Sequence, residues 1–354
     1  MTAQKLKVLM IGPDPHEKGG IASVVNQYNE AALNQLIILK YVPTMKSGTK
    51  VFKFIYFLKG MMQFIGRIKK YDIVHIHMSS RGSFRRKKYF VQLAKIFNKK
   101  IIIHLHSGEF RQFYYSESSN KGKEAIRKTF SLANKVIALS EEGRVFLSEI
   151  CDINKISLLY NSVQLPEITN KNYDNNNILF LGKLSPGKGI DDLLAVLPQI
   201  INKNHHAHMY LAGNGYIDRY KRICVNMGLE NHVTFLGWVT GDEKQKFLRQ
   251  CSMFVLPSYH EGMPMSLLEA MSYGCAVITT SVGGIPHVIK NNTNGLLIDA
   301  GDQKALAKCI MILINNPSIK KKLGKAAHQT ISEKFNINKT IVSLIQLYQM
   351  TMKD

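Results

Sequence analysis

Two glutamates lie eight residues apart where a strand is expected to give way to a helix. Glu261 follows the apolar run Met253–Leu256, and Glu269 falls in the second turn of a helix predicted to begin at Pro264. Proline suits a first helical position because it has no amide hydrogen to lose and its φ is already helical. The free amides of that turn and the positive end of the helix dipole favour an anion such as a diphosphate. A carboxylate at Glu269 can accept hydrogen bonds from both hydroxyls of a ribose.

Taken alone, the two glutamates could equally be solvated surface residues, but they belong to a long ordered series of motifs. The segments Glu261–Thr280, Gly283–Pro286 and Asn294–Leu297 resemble the retaining glycosyltransferases of the GT-B fold (group 1, family 4 type), in particular those of bacterial surface polysaccharides. The resemblance implies an α/β protein with two Rossmann-like, doubly wound parallel-sheet domains facing a central cleft. It also implies that Glu261 lies beside the donor sugar, as a catalytic residue, and that Glu269 binds the ribose. Further donor contacts are implied at Gly262, Met263, Pro264, Met265 and Leu268.

Two lysines follow the apolar run Ile178–Leu181. Lys183 and Lys188 lie in the sequence GKLSPGKG, which resembles the diphosphate clamp of the same family, where an Arg and a Lys neutralise the leaving group. Because position 183 is Lys, the charge is kept but the planar fork that grips two phosphate oxygens is lost. We therefore expect both lysines to bind the donor and Lys188 to act in catalysis. Without the other motifs, they would be interpreted as surface residues.

The first half of the chain offers a glycine pair and a histidine pair. Gly19 and Gly20 follow the strand predicted at Lys7–Ile11, where glycines let backbone amides approach a phosphate or sugar closely. His104 and His106 end another strand and face one side, because side chains alternate along a strand. The resemblance implies donor contacts at the glycine pair and a catalytic contact of His106 with the donor sugar. For His104 a core position is the favoured interpretation.

Two further segments bear on the resemblance. Gly237, Trp238 and Val239 are similar to the stretch whose backbone meets the nucleotide base in the family. Where the family usually has Glu after Gly-Gly-x-Pro, this chain has His287, which leaves a carboxylate role at that position in doubt.

Short apolar runs alternate with amphipathic helical stretches over nearly the whole chain, a pattern typical of parallel sheets covered by helices. One predicted helix carries an apolar stripe at Leu193, Leu194, Leu197, Ile200 and Ile201. We predict an N-terminal acceptor-side domain over 1–165, a linker over 166–177, a nucleotide-sugar-binding domain over 178–335, and a helix over 336–354 that crosses back to the first domain, as in similar proteins. The predicted strands are Lys7–Ile11, Ile37–Val42, Ile73–His77, Ile101–Leu105, Val136–Leu139, Ile156–Leu159, Ile178–Leu181, Met209–Ala212, Val233–Leu236, Met253–Leu256 and Ala276–Thr279.

The net charge of +22 indicates a polyanionic partner or an anionic surface. Residues 1–170 carry 27 of the 47 basic side chains but only 12 of the 25 acidic ones. Within them, Val51–Lys70 mixes apolar and basic residues without an acidic one, and Arg85–Lys88 adds a basic cluster. Such a stretch can lie on anionic lipid headgroups. The equally weighted alternative is a core-facing helix with its lysines toward water.

Five scattered cysteines argue against a disulfide framework or a zinc site. The sequence has neither a signal-peptide core nor an apolar run long enough to span a membrane. We therefore expect a cytoplasmic protein, with peripheral attachment to the inner face of the membrane left open. Because the D-x-D triplet that usually binds the divalent metal in the other major glycosyltransferase fold does not occur, we expect metal-independent catalysis and no cofactor.

The function that these expectations favour is retaining transfer of a sugar from a UDP- or GDP-type nucleotide sugar to a glycan or lipid-linked acceptor. The setting would be the biosynthesis of a capsule, exopolysaccharide or O-antigen polysaccharide. A sugar-nucleotide epimerase or hydrolase could use the same fold and donor site. A nucleic-acid-binding protein would also suit the pI of about 9.7, but no nucleic-acid-binding motif supports it, so we expect no specific nucleic acid partner.

Overall fold

The computed structural model describes residues 5–167 and 171–353, which divide into two compact units. The N-terminal unit consists of Met1–Ser162 together with Ile337–Asp354, and the C-terminal unit consists of Val163–Asn336. The last stretch of the chain therefore groups with the first unit, although the second unit separates them in sequence.

A parallel sheet of six strands forms the centre of the N-terminal unit, in the order β2-β1-β3-β4-β5-β6. Every strand expected here is present, with ends shifted by at most one residue. The strands are nearly continuous apolar runs because helices cover both faces of such sheets. Their bounds are β1 Lys7–Gly12, β2 Ile38–Pro43, β3 Ile73–Met78, β4 Lys100–Leu105, β5 Lys135–Ala138 and β6 Ile156–Leu158.

The C-terminal unit has its own six-stranded parallel sheet, in the order β12-β11-β10-β7-β8-β9. The five strands predicted from the sequence are present, and one short strand was missed because it coincides with a motif that was not interpreted as a strand. The bounds are β7 Asn177–Leu181, β8 His208–Ala212, β9 Val233–Gly237, β10 Met253–Leu256, β11 Ala276–Thr280 and the missed β12 Leu296–Ile298.

Helices flank both sheets. The predicted apolar stripe of α8 is buried along its whole length. Among the described residues, no helix combines the length and the hydropathy needed to cross a membrane. The helices are α1 Gly20–Glu30, α2 Leu33–Leu36, α3 Lys50–Ile68, α4 Gly82–Ile96, α5 Phe110–Tyr115, α6 Asn120–Ser131, α7 Glu141–Ser148, α8 Ile190–Lys203, α9 Ile217–Asn226, α10 Gly241–Gln250, α11 Met265–Ser272, α12 Ile285–Val288, α13 Gln303–Asn315, α14 Pro317–Lys334 and α15 Ile337–Lys353.

The two sheets confirm the predicted α/β class but differ in where their strand order reverses. The C-terminal sheet follows the order of a dinucleotide-binding fold, with the reversal between β7 and β10. The N-terminal sheet begins 2-1-3-4, as flavodoxin-like sheets do, with the reversal between β1 and β3. Ligands of open α/β sheets bind outside the carboxyl ends of the strands at these reversals. Ligand contacts are therefore expected in the loops after β7 and β10 and in those after β1 and β3.

Candidate functional site

A lysine and a glutamate meet at the reversal of the C-terminal sheet. Lys188 ends a short 3-10 turn after β7, and Glu261 lies in the loop after β10. The Nζ of Lys188 donates to Oε1 of Glu261 at 2.5 Å, and the hydroxyl of Ser258 donates to the same oxygen at 2.8 Å. The Glu261 side chain is 8% exposed and that of Lys188 is 29% exposed. The structure thus brings together two of the residues predicted to be catalytic, with the lysine more open to solvent.

Close backbone contact holds the two loops in place. The amide of Tyr259 donates to the carbonyl of Gly187 at 3.0 Å. Gly189 has a φ of +71°, and a Cβ at this position would stand 2.1 Å from the carbonyl oxygen of Pro257. Since no side chain fits there, glycine is needed to let the lysine-bearing turn approach the loop that carries Glu261.

The Gly283–Gly284 pair fixes the other side of the glutamate loop. A Cβ on Gly283, whose φ is +55°, would stand 1.9 Å from the carbonyl oxygen of Glu261. The amide of Gly284 donates to the carbonyl of Gly262 at 2.6 Å. The glycines of this motif therefore serve the backbone of the glutamate loop, and His287, three residues on, is exposed.

The second glutamate of the series is buried on α11 and already paired. Glu269 accepts a 2.9 Å hydrogen bond from Nζ of Lys244, which lies on α10. The helix begins at Met265, one residue later than predicted, and Pro264 is its N-cap with extended backbone (ψ 121°). The prediction of Pro264 as the first helical residue was therefore wrong, because its ψ is not helical. The first-turn amides remain at the place expected for an anion.

The other predicted donor-binding positions of this unit differ in exposure. Lys183 is exposed in the loop after β7, and Trp238 is half-buried just after β9. Gly237 ends β9 with a φ of +69°. The side chains of Val239, Met263, Pro264, Met265 and Leu268 are buried.

In the N-terminal unit the glycine pair begins a helix. Gly19 is the N-cap of α1 and Gly20 its first residue, and the space where either Cβ would project is open. In the same loop after β1, the buried carboxylate of Asp14 accepts from the hydroxyl of Tyr56 at 2.6 Å and from the amide of His16 at 3.0 Å. Burial raises the pKa of Asp14, but these hydrogen bonds, together with the charges of Lys46 and His16, outweigh it, so the net pKa is lowered.

His106 belongs to a group of four histidines on one face of the N-terminal sheet. His75 and His77 lie on β3, His104 lies on β4, and His106 directly follows β4. The expectation that His104 is a core residue agrees with its exposure of 1%. Burial lowers the pKa of His75 and of His106 to about 3, so both imidazoles are neutral at physiological pH.

Comparisons with known proteins agree with the fold and with the series of motifs. The profile of the family described as glycosyl transferases group 1 matches residues 163–330. An uncharacterised glycosyltransferase of Methanocaldococcus jannaschii is 31% identical over 255 residues, which cover 71% of this chain and 70% of that protein. The chain belongs to this family. It is therefore a glycosyltransferase.

Two other similar proteins are a bacterial galactosyltransferase and a synthase of known structure. A UDP-Gal:α-D-GlcNAc-diphosphoundecaprenol α-1,3-galactosyltransferase of Escherichia coli is 25% identical over 336 residues, covering 87% of this glycosyltransferase and 82% of that enzyme. The sucrose-phosphate synthase of Thermosynechococcus elongatus superposes with a TM-score of 0.82 at 19% identity, covering 99% and 100% of the two chains. The second likeness shows the GT-B fold over 99% of this chain.

The basic first half of the glycosyltransferase has an apolar surface as well as charge. Helix α3 buries Phe64 but leaves Phe54, Ile55 and Met62 exposed by 60%, 58% and 75%. The prediction that the cluster Arg85–Lys88 contributes to a surface was wrong for Lys87, which is 2% exposed and donates to the hydroxyl of Thr44. Burial holds the pKa of Lys87 well below its usual value.

Sequence reasoning missed several partners of the site residues in this glycosyltransferase. Lys244 and Ser258 belong to no motif, and only the fold brings them to Glu269 and Glu261. His77 could have been found, because the spacing His75-x-His77 repeats that of His104-x-His106 on the neighbouring strand, where the histidines must share a face.

Proposed function

We propose that this glycosyltransferase moves a sugar from a UDP- or GDP-type nucleotide sugar to a glycan or lipid-linked acceptor, with retention of anomeric configuration, in bacterial surface polysaccharide synthesis. The Lys188–Glu261 pair at the reversal of the C-terminal sheet carries the proposal. The name of the Escherichia coli relative supports it, because that enzyme uses UDP-Gal and an acceptor with a diphosphate-linked lipid.

Lys188 is proposed to stabilise the departing diphosphate. Negative charge grows on that group as the anomeric bond breaks, and preorganised donors stabilise it most when water is excluded. An ammonium group has three donors, so Lys188 can keep its bond to Glu261 and still bond phosphate oxygens. The first-turn amides of α11, whose N-cap proline has no side-chain hydrogen-bonding group, supply further donors to the same anion.

Glu269 is proposed to hold the ribose. Its Oε1 accepts from Lys244, which orients the carboxylate, and its second oxygen can accept from the ribose hydroxyls. Glu261, held by Lys188 and Ser258, is proposed to lie beside the donor sugar, and His106 to contact that sugar.

Metal-independent catalysis is part of the proposal, since a lysine and a helix N-terminus can supply the positive charge. Turnover should therefore persist in excess EDTA. An absolute requirement for added Mg²⁺ or Mn²⁺ would contradict this part.

Peripheral binding to an anionic membrane is also proposed, through the exposed face of α3. Phe54, Ile55 and Met62 would enter the headgroup region while neighbouring lysines attract anionic lipid. Co-flotation with phosphatidylglycerol liposomes at low salt checks this. A variant with Ser at these three positions should stay in the aqueous fraction, whereas Val342→Ser, at another exposed apolar position, should float.

A donor screen tests the sugar transfer itself. Purified protein is incubated with UDP- and GDP-sugars, with and without bacterial lipid extract, and nucleotide release is measured. Nucleotide release that depends on the acceptor identifies a transferase. Nucleotide release without an acceptor indicates a hydrolase, and conversion of the donor sugar to an isomer indicates an epimerase. Either of the latter outcomes would contradict the proposal.

A further inference from the structure

The histidines behind His106 form a compact stack. His77 stands opposite His104 in the register of β3 and β4. The ring centroids of His104 and His106 are 4.0 Å apart, and those of His77 and His106 are 5.0 Å apart. Tyrosines of α1 and α15 contact the same stack, through ring contacts to His77 and His75 respectively. His106 is thus the only partly exposed member of a stack whose other three histidines are buried.

Hydrogen bonds divide the stack into two chains. The first joins the hydroxyl of Tyr348 to Nδ1 of His75 at 2.6 Å and Nε2 of His75 to Nδ1 of His104 at 3.3 Å. The second joins Nδ1 of His77 to Nε2 of His106 at 2.8 Å. Within residues 5–167 and 171–353, the buried Nε2 atoms of His77 and His104 have no hydrogen-bond partner.

The bond between His77 and His106 determines which nitrogen of His106 carries its proton. Two neutral imidazoles can share a hydrogen bond only if one donates and the other accepts. If His106 donated, the proton of His77 would lie on its Nε2 and form a buried N–H without an acceptor. Buried N–H groups without a partner are rarer in proteins than acceptors without a full set of partners. The favoured arrangement leaves only an acceptor, Nε2 of His77, without a partner. In it, Nδ1–H of His77 donates to Nε2 of His106.

We propose that His77 is a positioning residue that fixes His106 as the Nδ1-protonated tautomer, so that His106 presents a neutral N–H donor to an oxygen of the donor sugar. The proposal rests on the proposed function, which gives His106 its contact with that sugar. It adds the direction of the hydrogen bond between His77 and His106. It also assigns the control of the His106 tautomer to His77, which lies outside the donor motifs. Burial keeps both rings neutral, so His106 acts as a hydrogen-bond donor and not as a general acid or base.

Two substitutions at position 77 separate positioning from packing. His77→Asn places an amide nitrogen near the site of Nδ1 and can keep the donor, whereas His77→Leu fills the space without one. We expect the Leu variant to lose about 10- to 100-fold in kcat, the scale of a misplaced catalytic group, with a donor KM within about threefold of wild type. The Asn variant should recover most of that loss. His205→Asn, at an exposed histidine of the other unit, is the matched control and should behave as wild type.

Nitrogen NMR of protein with ¹⁵N-labelled histidine reports the tautomer directly and needs no activity assay. His106, assigned by its loss in His106→Gln, should show a protonated Nδ1 and an unprotonated Nε2 in wild type and in His77→Asn. In His77→Leu it should show a mixture. Thermal unfolding of each variant reports whether it folds, and the wild-type spectrum tests the tautomer even if the Leu variant does not.

Several results would overturn the proposal. One is a wild-type His106 protonated at Nε2, and another is an equal loss of kcat in the Asn and Leu variants. A third is a stoichiometric metal ion in the purified protein, because the ligand atoms of His75, His77 and His104 lie within 4.8 Å of one another and an ion there would replace the hydrogen bonds. Absence of sugar transfer by a wild type with the expected tautomer would instead contradict the proposed function and leave the hydrogen-bond arrangement standing.

Discussion

The two sheets present different chemistry near their carboxyl edges. In the C-terminal unit, the reversal carries the ion pair of Lys188 with Glu261, and α11 nearby carries the pair of Glu269 with Lys244. In the N-terminal unit, β3, β4 and the residue that follows β4 carry imidazoles that burial keeps neutral, among them His106. Similar topology therefore supports a charged set of groups in one unit and an uncharged hydrogen-bonding set in the other.

Under the proposed function, a charged set of groups and an uncharged set suit different parts of a nucleotide sugar. A diphosphate leaving group gains most from fixed positive charge, whereas a sugar hydroxyl gains from neutral donors and acceptors in defined directions. In each ion pair of the C-terminal unit a lysine donates to a partly buried carboxylate. An ammonium group that makes one such bond retains donors for a ligand.

The largest expected effect is on the charged pair. Lys188→Met should lower kcat by about 10²- to 10³-fold, as the loss of one preorganised donor to a developing anion does. Initial rates at saturating donor measure it. Because this change leaves the Glu261 carboxylate without its lysine, the double variant Lys188→Met/Glu261→Gln serves as a charge-balanced comparison. Lys322→Met, on the exposed side of α14, is the control and should leave kcat unchanged. Near-normal turnover in both Lys188 variants would contradict the role of the pair.

A smaller effect is expected at the ribose position. Glu269→Gln should raise the donor KM by about 10- to 100-fold, the cost of losing hydrogen bonds to a charged group, with a lesser effect on kcat. Lys244→Met should raise KM less, because Lys244 acts through Glu269. Initial rates measured over a range of donor concentrations give the KM and kcat of both variants. A larger effect for Lys244 than for Glu269 would show that the lysine itself binds the donor.

Each unit also buries a lysine, and the buried lysine of the C-terminal unit should make the stability of the protein depend on pH. Lys320 is fully buried and donates to the carbonyl of Asn175 at 2.7 Å, and desolvation lowers its pKa to about 8. Because the folded protein releases this proton more readily than the unfolded chain, its stability should rise as pH increases from about 8 toward 10. Relative to Lys320→Met, the free energy of unfolding of wild type should increase by about 1 to 3 kcal/mol over that range. Urea unfolding at several pH values checks this, and parallel pH profiles would refute it.

The smallest effect is expected at the exposed lysine of the clamp motif. Lys183→Ala should change kcat/KM by no more than about fivefold, because exposed charges contribute about 0 to 1 kcal/mol. Initial rates at several donor concentrations, measured for Lys183→Ala and Lys188→Met, compare the two lysines that follow β7. A loss comparable to that of Lys188→Met would mean that Lys183 binds the diphosphate as strongly as Lys188 does.

The strands, and the placement of Glu261 and Glu269 relative to them, could be predicted from the sequence because their signals are local. Apolar runs such as Ile101–Leu105 identify buried parallel strands, and Glu261 and Glu269 stand at fixed places relative to one strand and one helix. The contacts of Lys244 and Ser258 could not be predicted, because they depend on how separate elements pack. Burial of Lys87 was missed for the same reason: a basic cluster in sequence says nothing about which member faces the core.

Calorimetric titration of UDP and of GDP into wild type and Glu269→Gln shows whether the C-terminal unit binds a nucleoside diphosphate. We predict saturable binding of one of the two nucleotides to wild type and binding weakened by about 10-fold or more in the variant. Wild-type protein that binds neither nucleotide, or a variant that binds as tightly as wild type, would contradict the account.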